Sequence, residues 1–330
     1  MSTNKLSIGL VFGGKSSEHE VSINSARTIY KAFDSSTNKN DFTIIPIYID
    51  KSGFWWDIES SKSVIVENIK TLNYEASEKD EEAYNKLINL PILNDKIDIW
   101  FPALHGQNGE DGVIQGLFKL TGKPFVGSGV LGSSLGMDKI AMKAVFKSFN
   151  LPQAPYISLE KKNFKHTKFV KSLLHDINIK INYPCFIKPA NLGSSIGITK
   201  AYKEQDLLNG IEEAAKFDER IVIEKNIQGR ELECAILGNS IMKTSVIGEV
   251  KFESDWYNYE TKYNGELSKT IIPADLDTDI SNYIKKLAVK ACKAINAYGL
   301  ARVDFFYEES TQKVYINEVN TLPGFTNTSM

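Results

Sequence analysis

Near the C-terminus, "ARVDFF" (301–306) places Arg302 two residues before Asp304, and "YINEVNTLPG" (315–324) places Glu318 two before Asn320. Along a strand, residues i and i+2 point to one face, so each stretch presents a pair of polar side chains together. The intervening "YEESTQK" is turn-rich and predicts an antiparallel hairpin. With its turn centred on Thr311, Asp304 lies opposite Glu318 and Arg302 opposite Asn320. Like charges directly across a strand pair repel. A divalent cation between them reverses that balance. Two carboxylates and an amide oxygen are hard ligands suited to Mg²⁺, which takes its remaining ligands from water and substrate phosphates. A solvated hairpin with scattered charge is the plain alternative, but the flanking "LARV", "FFY" and "VYI" read as buried.

A metal set of this kind calls for a phosphate binder elsewhere. "FIKPANLGSSIG" (186–197) puts Lys188 at a strand end, followed by a loop with Gly193, Ser194, Ser195 and Gly197. Such a loop can lay backbone amides over a phosphate while the lysine supplies a point charge. Lys139, in the first turns of the helix expected over "MDKIAMKAVFKSF", is a second cation. Near the N-terminus, "GLVFGGKS" (9–16) fits the P-loop pattern, yet Leu10, Val11 and Phe12 occupy its middle. A P-loop needs those positions in a phosphate-wrapping loop. Moving them out of the core would forfeit roughly 1.5–3 kcal/mol per side chain. The stretch is read as a strand, with "SSEHEVS" at the following helix N-terminus, where Glu18 by itself is an ordinary capping candidate.

The elements that must carry these residues follow from periodicity. "KLSIGLVF" (5–12), a helix over 22–33 and the strand "DFTIIPIYID" (41–50) form β-α-β, the opening of a doubly wound domain. "KIDIWFPAL" (96–104) adds a strand ending in "HGQNGEDG", then come a helix over "GVIQGLFKLTG" and a short strand "PFVGSG". Segment 57–95, with the run "EASEKDEEAY", is expected as a solvated helical excursion. Strands are expected around the 190–197 loop and over 220–237, and a helix over 279–299 closed by Gly299. At 330 residues the chain exceeds one ordinary core. Its 39 basic and 41 acidic residues nearly cancel, which argues against a nucleic-acid partner and leaves anion binding to a few placed groups. No signal peptide or membrane span is apparent, and three dispersed cysteines lack CxxC spacing, so a cytoplasmic location is expected.

Eight stretches in order, "VFGGKSSEHEVS", "ALHGQNGEDG", "GSGVLGSSLGMDK", "IKPANLGSSIGI", "IEKNIQGRE", "YETKY", "ARVDFF" and "NEVNTLPGFT", resemble the ATP-grasp superfamily, and within it the D-alanine–D-alanine ligases. The resemblance implies an α/β N-terminal domain with a doubly wound parallel sheet (1–130), then two α+β ATP-grasp subdomains (131–226 and 227–330) with a lid over 252–270. It implies ATP-dependent joining of two D-alanines through a D-alanyl phosphate. Asp304, Glu318 and Asn320 would hold two Mg²⁺ ions, with Mn²⁺ as a substitute. Lys139, Lys188 and Lys262 would contact the nucleotide, with Ser195 in the closing loop. Glu224 would accept from the adenine amino group, Lys225 and Ile227 would frame the base, and Glu231 would bind the ribose. Glu18 would meet the first D-alanine's ammonium and link to Ser194 and Tyr263. His105 would lie near that substrate's carboxylate. Arg302 and the Gly324 N–H would form an oxyanion hole, while Ser329 and Met330 would contact the second substrate. Tyr263 at its lid position favours D-alanine over D-lactate. A homodimer through the first domain is common in the family, whose members are expected to continue past the position of Met330. Two other readings predict different behaviour. One is a ligase for another carboxylate–amine pair or for D-lactate; the other is a P-loop nucleotide-binding module.

Overall fold

The computed structural model describes residues 5–67, 72, 95–252, 268–326 and 329. Its contacts divide the chain into two compact units, Met1–Ser134 with Thr321–Met330, and Leu135–Asn320.

In the first unit, β1 (Leu6–Gly13) is the central strand of a parallel sheet, flanked by β2 (Phe42–Ile49) and β3 (Ile99–Ala103). Alternation along β1 feeds two cores. Ile8, Leu10 and Phe12 join Ile23, Ala26 and Ile29 of α1 (His19–Phe33). Val11 points the other way, to Ile47, Trp100 and Phe118 of α3 (Val113–Leu120). Burial on both faces is what a parallel sheet requires. Leu10, Val11 and Phe12 are fully buried in strand conformation, so "GLVFGGKS" does not form a phosphate loop.

Two expectations are corrected here. The start of 57–95 is not a solvated excursion: α2 (Ile58–Val66), capped by Asp57, buries Ser61, Val64 and Ile65. The charge run itself lies outside the described residues. "PFVGSG" makes one isolated bridge, Phe125 to Trp100, and Gly127 at φ +99° turns the chain away before a strand develops. By contacts, the segment from Thr321 onward groups with the first unit. There the Phe325 ring meets Phe101 edge-on at 6.1 Å, and its N–H donates to Ser25 Oγ at 3.1 Å.

Helix α4 (Val130–Met137) spans the boundary, and the second unit continues with α5 (Lys139–Ser148). Its two antiparallel sheets lie in one compact unit. The four-stranded sheet runs β4 (Tyr156–Glu160), β7 (Arg220–Lys225), β5 (Cys185–Pro189), β6 (Thr199–Ala201). It shares a core with α6 (Thr167–Asp176) and α7 (Glu204–Ala214). The five-stranded sheet runs β10 (Ser268–Ile271), β9 (Lys243–Phe252), β8 (Arg230–Gly238), β11 (Gly299–Glu308), β12 (Lys313–Asn320). It packs on α5 and α8 (Thr278–Ala294). Thus β7 and β8, consecutive in sequence, part into different sheets.

Gly299 does not cap α8. Asn296 takes the left-handed conformation at φ +59°, and the Ala297 and Asn296 N–H groups close back on the Cys292 and Lys293 carbonyls. Asn tolerates that conformation, so the helix ends earlier and Gly299 opens β11.

Candidate active site

The hairpin of β11 and β12 pairs Arg302 with Asn320 and Asp304 with Glu318. Nearer the turn, Glu308 pairs with Lys313 and Phe305 with Ile316, so the turn centres half a residue before Thr311. A bulge at Asn317 absorbs the difference and restores the expected register at the carboxylates. On the other side, β8 pairs Glu233 with Asp304. Glu233, Asp304 and Glu318 therefore form one row across three adjacent strands. Arg302 threads it: Nε and Nη2 donate to Asp304 at 2.7 Å each, and Nε lies 3.0 Å from Glu233 Oε2. Burial opposes the guanidinium's charge, but Asp304 and Glu233 outweigh it and hold its pKa well above the usual value. The Asn320 amide nitrogen donates to Asp304 Oδ2 at 2.9 Å. A half-turn of that amide presents its oxygen instead, the orientation a cation beside Asp304 would select. Among the described residues no three His, Cys, Asp or Glu side chains alone make a metal cluster. The donor set fits Mg²⁺ as two carboxylates and one amide oxygen, completed by phosphate and water.

Glu233, Arg302, Asp304 and Glu318, though not Asn320, line a cavity of about 420 Å³ enclosed from both sheets of the second unit. From the five-stranded sheet come Glu231, Glu233, Arg302, Asp304 and Glu318; from the other side come Lys188, Glu224 and Lys225, with Ile227 in the connection. Lys139, Ser194 and Ser195 complete the lining. Lys139 is set by its helix start: Asp138 accepts from the Ile140 and Ala141 N–H groups, and also pairs with Arg220. Its Nζ then donates to the Leu192 carbonyl at 2.5 Å, holding the loop. Asn191 anchors the loop base through two bonds to Asp218 Oδ2. Ser194, Ser195 and Gly197 all have positive φ. A Cβ on Gly197 would lie 2.7 Å from the Phe217 ring and 2.9 Å from Pro189, so only glycine fits there.

Glu224 is 3 % exposed and meets two ammonium groups. Its Oε2 accepts from Lys188 at 3.0 Å and its Oε1 lies 3.3 Å from Lys143. Burial would raise its pKa, but Lys143 and then Lys188 outweigh that and hold it at about 2. Burial pulls Lys143 below the ordinary lysine value against the pull of Glu224. Sequence reasoning missed Lys143, Glu233 and Lys200, the last of which lines the cavity over the Phe186 ring. For Glu233 a signal existed: it alternates with Glu231 in "RELE".

The first unit holds the other predicted residues. Glu18 stands at the N-cap of α1 but makes no side-chain cap bond. It is buried, and Gly106 leaves room for its carboxylate, since a Cβ there would lie 2.6 Å from Oε2. His105 is buried with Nε2 2.9 Å from Ser25 Oγ and Nδ1 3.4 Å from Glu110 Oε1. Gly324 and Ser329 lie in the same C-terminal turn, where Ser329 Oγ accepts from the Thr326 N–H. Lys262, Tyr263 and Met330 lie outside the described residues, as does 253–267 of the expected lid.

The family profile described as "D-ala D-ala ligase N-terminus" matches residues 7–128, and the one described as "D-ala D-ala ligase C-terminus" matches 145–330. The chain belongs to the D-alanine–D-alanine ligase family. It is 65 % identical to the D-alanine–D-alanine ligase of Prochlorococcus marinus (strain NATL1A), over all of this chain and 93 % of that one. Identity to the D-alanine–D-alanine ligase of Synechococcus sp. (strain CC9311) is 49 % over the same shares. Among solved structures, the VanG D-Ala:D-Ser ligase from Enterococcus faecalis superposes with a TM-score of 0.79 at 34 % identity, covering 99 % of this chain and 93 % of that one. The fold is that of the ATP-grasp ligases. The ligase family uses ATP and a divalent metal. No helix among the described residues is long and apolar enough to cross a membrane.

Proposed function

We propose that this chain joins two molecules of D-alanine at the expense of ATP, for cell-wall precursor synthesis in the cytoplasm. The observation that carries the reading is one cavity lined at once by Asp304 and Glu318 and by Lys139 and Lys188. Phosphoryl transfer onto a carboxylate brings two anions together, and catalysis consists largely of positioning and neutralising them. Two Mg²⁺ held by Asp304, Glu318 and Asn320 supply that neutralising charge when bound. Lys139 and Lys188 bind the phosphates under the 190–197 loop, with Ser195, while Lys262 adds a further nucleotide contact. Glu224 receives the adenine amine, Lys225 and Ile227 frame the base, and Glu231 takes the ribose hydroxyls.

Glu18 holds the ammonium of the first D-alanine, linked to Ser194 and Tyr263, and His105 orients its carboxylate. One carboxylate oxygen attacks the γ-phosphorus, giving a D-alanyl phosphate and ADP. The amine of the second D-alanine, placed by Ser329 and Met330, attacks the acyl carbon. Arg302 and the Gly324 N–H stabilise the tetrahedral oxyanion, and phosphate leaves with the dipeptide formed. A closed lid over 252–270 keeps water from the acyl phosphate. A homodimer, common in the family, is the assembly that a solution mass measurement would test.

Phosphate release with ATP, Mg²⁺ and D-alanine tests this, with D-serine and D-lactate as rival second substrates. D-alanyl-D-alanine as main product is expected. ATP turnover independent of D-alanine would overturn the reading.

A further inference from the structure

The two lysines on Glu224 differ in place. Lys188 lines the cavity, whereas Lys143 stands behind the carboxylate at 1 % exposure and is not part of the lining. Its Nζ lies 5.4 Å from the centre of the Tyr156 ring, and Tyr156 pairs with Glu224 across β4 and β7. The Gln153 side chain secures the Lys143 carbonyl at 2.9 Å. An ammonium this deep depends chiefly on its counter-charge. If Lys188 turns to a nucleotide phosphate, as proposed above, Lys143 is the cation left on Glu224.

We propose that Lys143 is a positioning residue that fixes the Glu224 carboxylate as an acceptor for the exocyclic amine of adenine, and so sets the preference for adenine over a 6-oxo purine. The inference rests on the reading that ATP fills this cavity. An ionised carboxylate is acceptor-only, so it matches an amine and repels a 6-oxo group. Deprived of its rear cation, a carboxylate this buried takes up a proton and can donate to that oxygen. The groups facing Glu224 are Lys143, Lys188 and the Tyr156 phenol, and Lys143 exerts the larger electrostatic pull of the two lysines.

Calorimetric binding of ADP and IDP to the full chain tests this, in Lys143→Met, Lys143→Arg and Glu224→Gln. Lys143→Met is expected to lower the ADP-over-IDP affinity ratio roughly tenfold or more, the loss of one hydrogen bond to a charged acceptor. Lys143→Arg keeps most of the ratio. In a Glu224→Gln background, adding Lys143→Met moves the ratio no further, which a merely structural lysine would not produce. KM for ATP rises with KM for D-alanine unmoved. Should Lys143→Met alone fold poorly, the double variant, which removes cation and anion together, and Lys143→Arg decide the matter. An unchanged ratio in Lys143→Met, its loss in Lys143→Arg, or an equal drop in both backgrounds overturns the proposal. Failure of the underlying reading differs: the native chain would bind neither nucleotide.

Discussion

Gly106 and Gly122 both have φ +73°, but their surroundings differ. A Cβ on Gly122 meets nothing within 4 Å, whereas one on Gly106 would stand 2.6 Å from Glu18 Oε2. Alanine at either site bears the left-handed penalty of about 1–2 kcal/mol, a drop of roughly 2–8 °C in thermal midpoint. Only Gly106→Ala must also displace Glu18, whose carboxylate has to move by roughly 0.8 Å to regain ordinary van der Waals contact. Glu18 is enclosed and cannot yield freely. If it holds the first D-alanine's ammonium, a shift of that size lowers kcat/KM for D-alanine by roughly 10–100-fold. Gly122→Ala, equally strained, should stay within about twofold of the native enzyme. The assay is phosphate release against D-alanine at saturating ATP, with thermal unfolding of both variants alongside. Equal losses in the two variants, or unaltered D-alanine kinetics in Gly106→Ala, would refute the reasoning.

Removing one member of the carboxylate row separates the cavity from the N-terminal glycine turn as the nucleotide site. Glu318→Ala should abolish Mg-ATP turnover, measured as phosphate release, while Lys15→Ala leaves it nearly intact; the reverse order would restore the P-loop reading. Glu224 also imposes a pH dependence. Its folded pKa of about 2 lies below the ordinary carboxyl value, so its stabilisation is present above pH 4.5 and is lost as pH falls through 2. That linkage amounts to about 3 kcal/mol. Urea unfolding of native protein and Glu224→Gln should therefore show their stability difference narrowing by that amount between about pH 5 and pH 2. A constant difference would show that the two lysines do not hold the charge.

What the amino-acid order determines here is local and periodic. Runs of buried aliphatics read as β1 and β2, helical spacing reads as α1, and the two-residue step places Asp304 and Asn320 on faces that could meet. Glycine and serine in the 190–197 loop, with Lys188 at its mouth, were legible for the same reason. Beyond the hairpin of β11 and β12, tertiary structure decided which strands became neighbours. Glu233 joins the carboxylate row because β8 pairs with β11, some seventy residues away, while β7, four residues before β8, goes to the other sheet. The Asn317 bulge, the seating of 321–330 on the first unit and the placing of Lys143 behind Glu224 are equally invisible to periodicity. Backbone sterics act over a few residues and leave their mark in the order of residue types. Sheet order and buried ion pairs are chosen by which apolar faces can be covered together and which charges must then be neutralised, and that competition involves the whole chain.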